Sequence, residues 1–288
     1  MNRQEQESKT VCGGLSRPLG KKTMEHNRSK GMFGRIIGLT YALFNYLSAI
    51  LVLGYGVFWY ANLYVPVTID SGAKVSLTTA LLVNTLLMLF FAVQHTVQAR
   101  PWFKKLFIKC THKSIERSTY VLFSNIAFVL FYLFWKDTGG HIWQVENKIG
   151  VIILWSLYGA GWVLAFAAIF LKNHFHFLGI RQAFLHFQNK DFSQEPLVKF
   201  FIYSLVRHPM YLGFLMAYWA TPIMSTGHFI FALEMTIYTF IGIQFEENML
   251  IGFIGKKYRD YQAKVPMLIP FSRRIVTPKS LSPANQPE

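Results

Sequence analysis

Arg207-His208-Pro209-Met210-Tyr211-Leu212-Gly213 opens the stretch whose reading decides this chain. Two short apolar runs follow, about Met210–Met224 and Phe229–Ile243, separated by a breaker cluster from Pro222 to Gly227. A proline and a glycine around a turn suit a tight helical hairpin, which returns the chain to the side it left. The second run ends at Glu246-Glu247, so Arg207 and two carboxylates are expected in one place. Gly255-Lys256-Lys257-Tyr258-Arg259-Asp260-Tyr261 and Val265-Pro266-Met267-Leu268-Ile269-Pro270 close the stretch. A lipid-facing hairpin has no need of an Arg-His pair opposite two glutamates; a site for a charged cofactor does.

Around this stretch the chain is 52% hydrophobic, 17% aromatic and only 15% charged, too apolar for an ordinary soluble domain. Ile36–Tyr64, Val75–Val93, Ser118–Trp135 and Ile149–Leu171 read as four membrane runs, since about 20 apolar residues cross a bilayer. With the hairpin they make an all-α polytopic membrane bundle of about six segments. Each hairpin leg of about 15 residues gives only ~22 Å of helix against a ~30 Å core, so whether the hairpin crosses fully stays open. Residues 1–35 read as a disordered basic tail, 36–270 as one membrane domain and 271–288 as a flexible tail.

The formal net charge of +15 raises nucleic-acid binding, but the basic residues crowd the flanks of the apolar runs. Arg100, Lys104, Lys105, Lys109, Lys113 and Arg117 make one loop strongly basic, whereas the loop holding Asp70 and Lys74 and the loop holding Lys136, Asp137, Glu146 and Lys148 are balanced. We read the charge as topology: both termini and the 99–117 loop on the cytoplasmic side of an inner membrane, and no nucleic acid. Cys12 and Cys110 form no metal or redox spacing. Serine-histidine-acid, P-loop and Gly-x-Gly-x-x-Gly patterns are absent, as is the strand-helix alternation of soluble nucleotide-binding folds.

The Arg-His-Pro-x-Tyr-x-Gly motif, the hairpin, Glu246-Glu247 and the Tyr-rich end resemble the membrane-embedded methyltransferases, among them the isoprenylcysteine carboxyl methyltransferases with their nurim and NnrU relatives. A closer likeness rests on Gln94-His95-Thr96-Val97-Gln98-Ala99-Arg100-Pro101-Trp102, Glu116-Arg117-Ser118-Thr119-Tyr120-Val121-Leu122, Asn173-His174-Phe175-His176-Phe177-Leu178-Gly179-Ile180-Arg181-Gln182 and Tyr218-Trp219-Ala220-Thr221-Pro222. Together these resemble the bacterial methanethiol S-methyltransferases over roughly Gly34 to Pro270. Met24 and Met32 precede that region, and either could be the start of translation.

The resemblance implies S-adenosylmethionine as methyl donor, a small thiol as acceptor, the lipid bilayer as surroundings, and no metal or obligate protein partner. It implies a donor pocket in the Arg207–Tyr261 region, with Arg207, His208, Pro209, Tyr211, Leu212, Gly213, Arg181, Glu246, Glu247, Tyr258 and Tyr261 as the candidate set. Arg207 and the helix start at Pro209 could hold a carboxylate, because helix N-termini attract anions. Carboxylates at a helix C-terminus oppose the macrodipole, so Glu246 and Glu247 need a partner, either Arg207 or the donor. Tyr258 and Tyr261 share a helical face and could cover an adenine or anchor the interface. His208, His174 and His95 are the candidate bases for a thiol, with no choice among them; His174-x-His176 lacks the ligands to complete a metal site. A prenylated-cysteine carboxylate as acceptor, a nurim-like scaffold without catalysis and a transporter are the competing readings. Scattered Asn45, Asn84, Asn125 and Glu234 without internal symmetry count against a transporter; Glu234 itself has either a buried partner such as Tyr211 or a site-facing role.

Overall fold

A computed structural model describes residues 21–191 and 199–272. Its long helices are α1 (Lys21–Ala61), α2 (Leu77–Ala99), α4 (Glu116–Phe134), α5 (Lys148–Leu171) and α10 (Thr226–Ile254), and these five are long and apolar enough to cross a membrane. Shorter helices join them: α3 (Pro101–Cys110), α6 (His174–Phe177), α7 (Ile180–Phe187), α8 (Ile202–Leu205), α9 (Pro209–Trp219) and α11 (Lys256–Lys264). Starts follow local chemistry. Ser76, Asn147 and Ser225 each accept a backbone N–H of the first turn, and prolines open α3 and α9. The apolar side chains left outside, such as Leu51, Leu82, Ile152, Val163 and Phe253, are well exposed, as lipid-facing positions require.

Of the tail expected over residues 1–35, residues 1–20 lie outside the described part. From Lys21 onward the chain is already in α1, since no proline interrupts it. The tail expected over 271–288 lies outside from residue 273 on.

The expected hairpin is asymmetric. Its first leg, α9, ends at Trp219, about 16 Å of helix, and hands over to an extended segment containing β2 (Ile223–Ser225). This strand pairs antiparallel with β1 (His141–Gln144) from the α4–α5 connection, His141 opposite Ser225 and Gln144 opposite Ile223. The sixth passage of the bundle is therefore a short helix plus extended chain rather than a sixth long helix. Its second leg is α10, about 43 Å long by helical rise. Glu246 and Glu247 do not end this helix, as the sequence reading had it; it runs on to Ile254, about two turns further.

The ribbon seals one end of the bundle, called here the β end. Asn84 bonds both polar groups of Lys136's backbone at 2.9 Å, Trp143 Nε1 donates to Thr221 O, and Ser225 Oγ donates to Asp70. Above it, Trp59, Tyr60, Phe131, Trp135, Tyr218 and Phe231 pack largely edge to face, each such pair being worth about 0.5–1.5 kcal/mol beyond its area.

Against α9 lies α5, and both are notched by glycine. A Cβ on Gly161 would stand 2.6 Å from Gly213 O, and one on Gly213 would stand 2.5 Å from Gly161 O. Of Gly159 and Gly161 on α5, only Gly161 makes this close approach; Gly159 has open space around it. The mid-bundle polar residues also find partners. Asn45 donates to Tyr41 O, Asn125 to Ser48 Oγ, and Glu234 accepts from Thr85 Oγ1 at 2.6 Å rather than from Tyr211. Gly161→Leu should lower the thermal unfolding midpoint in detergent by an amount corresponding to about 1–3 kcal/mol or more of overpacking. Gly159→Leu, measured beside it, should leave the midpoint within error.

Candidate active site

At the end opposite the ribbon, Arg207 and His208 form the bend that leads into α9. Their N–H groups donate to Pro266 O (2.9 Å) and Met267 O (3.1 Å), so the segment after α11 straps the motif in place. The Arg207 side chain is 2% exposed. Its Nε donates to Glu247 Oε1 at 2.6 Å, and Nη1 donates to Gln262 O and Val265 O at 3.2 and 2.6 Å. Glu247 also accepts from His208 Nε2 (3.0 Å) and, through Oε2, from Gln262 Nε2 (2.8 Å). A carboxylate only accepts, so His208 carries its proton on Nε2. Tyr258 Oη lies 3.5 Å from the same Oε1; burial, with Glu247 nearby, pushes its pKa up and keeps it a donor. Burial likewise takes Tyr261 up to about 12, and its hydroxyl donates to Tyr203 O.

One residue earlier, Glu246 turns toward a cavity, since successive residues on a helix are about 100° apart, with its Oε2 still 3.8 Å from His208 Nδ1. Its Oε2 accepts from Tyr211 Oη (3.0 Å) and its Oε1 lies 3.7 Å from Lys172 Nζ. Glu246 and Tyr211 line a cavity of about 380 Å³ bounded by α1, α2, α4, α5, α9 and α10. Arg100, Arg117 and Lys172 gather at the same end. Arg100 stands over the Phe245 ring at 4.0 Å, and Arg117 over Tyr120 at 4.6 Å. Toward the β end the walls turn aromatic, with Phe128, Tyr132, Trp162, Phe214, Tyr218 and Phe231.

Between the two zones sits a polar belt of His95, Tyr120 and Ser124. Ser124 Oγ donates its one proton to Tyr120 O, so it accepts from His95 Nδ1, 3.0 Å away. That fixes the tautomer: Nε2 is bare and accepts the Tyr120 hydroxyl proton. The Tyr120 oxygen keeps free lone pairs at the cavity wall.

The structure thus brings Arg207, His208, Tyr211, Glu246, Glu247 and Tyr258 together, with Tyr261 beside them. Pro209 is the buried first residue of α9, Leu212 is half-buried and Gly213 meets α5. His95 lines the cavity. His174 lies instead against Tyr46 of α1 (Nδ1 to Oη 3.0 Å), and Arg181 sits on α7; neither lines the cavity, nor does Glu234. Among the described residues no three His, Cys, Asp or Glu side chains gather as metal ligands. Lys172, Arg100, Arg117, Tyr120 and Ser124 were given no role from sequence. The cations passed as topology, and Tyr120 and Ser124 as ordinary members of an apolar run; the one sequence signal was that Arg100, Arg117 and Tyr120 fall inside the quoted motif runs.

The phospholipid methyltransferase family profile matches residues 155–257, which includes both α9 and the two glutamates. Methanethiol S-methyltransferase of Crocosphaera subtropica is 41% identical over 243 residues, 84% of this chain and 95% of that protein. The protein of the same name from Pseudomonas deceptionensis is 42% identical over 253 residues, 88% and 97% of the two chains. A nurim homolog of Drosophila melanogaster is 26% identical over 164 residues, 55% of this chain and 65% of its own. No solved structure matches. With that identity over nearly the full length of the bacterial enzymes, and the motif residues assembled at one end of a membrane bundle, this chain belongs to the methanethiol S-methyltransferase family.

Proposed function

We propose that this chain methylates methanethiol to dimethyl sulfide, with S-adenosylmethionine as donor, in a bacterial inner membrane and with the cavity mouth on the cytoplasmic side. The observation that carries this reading is Glu246 at the charged mouth of an otherwise aromatic cavity. The donor has an ammonium, a carboxylate and a sulfonium, and the residues present fit all three. Glu246 suits the ammonium, the cations Lys172, Arg100 and Arg117 suit the carboxylate, and the rings of Tyr120, Tyr238 and Phe245 suit a sulfonium by cation–π attraction. When bound, the donor supplies an activated methyl group. The acceptor sulfur loses its proton and forms the new S–CH3 bond, while the old C–S bond breaks and its electron pair stays on the departing sulfur. Alignment carries most of the acceleration.

Within this reading the two glutamates have different work. Arg207 and Glu247 neutralise each other and hold α9, α10 and α11 together, with His208 and Tyr258 completing that network. Glu246, Tyr211 and Lys172 meet the donor. His95 is the base candidate best supported by position, because its bare Nε2 draws on the Tyr120 hydroxyl, whose oxygen can take a hydrogen bond from the thiol. The mouth opens among basic residues, which argues for a cytoplasmic site, while a small apolar thiol and its neutral product can pass through lipid.

Membranes containing the protein, given methanethiol and S-adenosylmethionine, should release dimethyl sulfide into the headspace; output no greater than a vector control sinks the reading. Glu246→Gln should cut kcat/KM at least tenfold with an unchanged unfolding midpoint. Glu247→Gln should instead cost about 3 kcal/mol of stability or more, since it leaves Arg207 buried without its counter-charge. Equal melting of the two variants, with equal activity, would contradict this division.

A further inference from the structure

The cavity runs far deeper than methanethiol needs. Its lining on α4 extends from Arg117, just inside the charged end, to Tyr132 near the β end, about 22 Å by helical rise. On α10 it extends from Met249 back to Phe231, about 27 Å. Two helices running in opposite directions thus give depths of about 22 and 27 Å. The charged side chains in the lining, Arg100, Arg117, Lys172 and Glu246, all belong to the mouth. Beyond the belt of His95, Tyr120 and Ser124 lie a further ~12 Å on α4, from Ser124 to Tyr132, and ~10 Å on α10, from Tyr238 to Phe231.

That inner reach has the character of an acceptor site rather than a donor site. Its larger walls are Phe91, Phe128, Trp162, Phe214, Phe231 and Met235. Two of the tyrosines there turn their hydroxyls away into backbone: Tyr60 donates to Tyr218 O and Tyr132 to Val52 O, so both present carbon to the cavity. A ribose, an ammonium or a carboxylate would be stripped of water there without compensation. A hydrocarbon chain would gain by the same transfer.

We propose that the enzyme also methylates hydrophobic thiols longer than methanethiol, of the unbranched alkyl class of about four to eight carbons. This rests on the donor occupying the mouth as argued above. The thiol sulfur lies at the Tyr120–His95 belt and the chain points toward Phe231. The reaction is the same displacement: the thiol proton passes to the Tyr120 oxygen as the Tyr120 proton passes to His95 Nε2, the S–CH3 bond forms, and the donor's C–S bond breaks with its pair retained on the donor sulfur. Methanethiol is then the shortest member of an acceptor series, and it leaves the aromatic reach unfilled.

The test is a series from methanethiol to hexane-1-thiol, with each methyl thioether quantified by gas chromatography. KM should fall about fourfold per added methylene, the ratio corresponding to ~0.8 kcal/mol for burying one CH2. Partition into lipid gives a similar trend, so Met235→Trp and Leu53→Trp, which fill the inner reach, are run in parallel. Both should flatten the series while methanethiol is still turned over. Should either variant fail to fold, Phe128→Ala replaces it and should move the optimum to a longer chain. Independently of turnover, hexyl methyl thioether alone should raise the unfolding midpoint of the wild type and not of Met235→Trp. Methanethiol turnover with hexane-1-thiol more than a hundredfold poorer, or a chain-length trend unchanged in the filled variants, overturns this proposal and leaves the methanethiol reading intact. No turnover of any thiol removes both.

Discussion

A buried Arg207–Glu247 ion pair is the constraint on which the working end of this molecule depends. Two charges taken out of water are costly unless each is closely paired and otherwise hydrogen-bonded, and here both conditions hold. The guanidinium reaches one carboxylate oxygen and two backbone carbonyls; the carboxylate also takes His208 and Gln262. Those partners come from the start of α9, the body of α10 and the end of α11, so one network fixes three segments far apart in sequence. The same network determines where the adjacent carboxylate goes. With Glu247 turned toward Arg207, Glu246 is rotated by the helical step onto the cavity face. A pair of identical residues is thereby split into a structural member and a member available to a ligand.

The cavity owes its polarity gradient to the direction of the helices through a membrane-like bundle. Residues near one set of helix ends can carry charge because water reaches them, whereas an ionisable group in the middle needs a hydrogen-bond partner, as Glu234 has in Thr85. Arg100, Arg117, Lys172 and Glu246 all lie near such ends, and Phe128, Phe231 and Trp162 lie within. Methyl transfer from a charged donor to an apolar thiol needs this meeting of two environments. The His95–Tyr120–Ser124 belt marks the boundary, held by hydrogen bonds whose direction Ser124 sets through a backbone carbonyl.

The opposite end is closed by means unusual for a helical bundle. A two-stranded ribbon joins the α4–α5 connection to the α9–α10 connection, and Asn84 secures the first of these by both backbone groups of Lys136. The ribbon also resolves the geometry of α9. A helix of 11 residues is too short to cross a bilayer core, but helix plus extended strand traverses the bundle, because the extended segment can satisfy its backbone against β1. Gly161 and Gly213 let α9 press against α5 without a side chain between them.

The sequence by itself determined the all-α membrane class, the long apolar helices to within a few residues at most ends, and the convergence of Arg207, His208, Tyr211, Glu246, Glu247 and Tyr258. Those features are local: apolar run length reports on lipid, and a hairpin brings its two ends together whatever packs around it. Only the tertiary structure decided which glutamate is paired, that Gly213 is a packing residue against Gly161, that His174 faces Tyr46 rather than the cavity, and that Lys172, Arg117 and Tyr120 stand at its wall. Each of these depends on the rotation of one helix about its axis relative to another. Helices apolar on most sides, as α2 and α5 are, carry little periodicity from which to read that rotation. Packing at glycine contacts and one buried ion pair sets it instead.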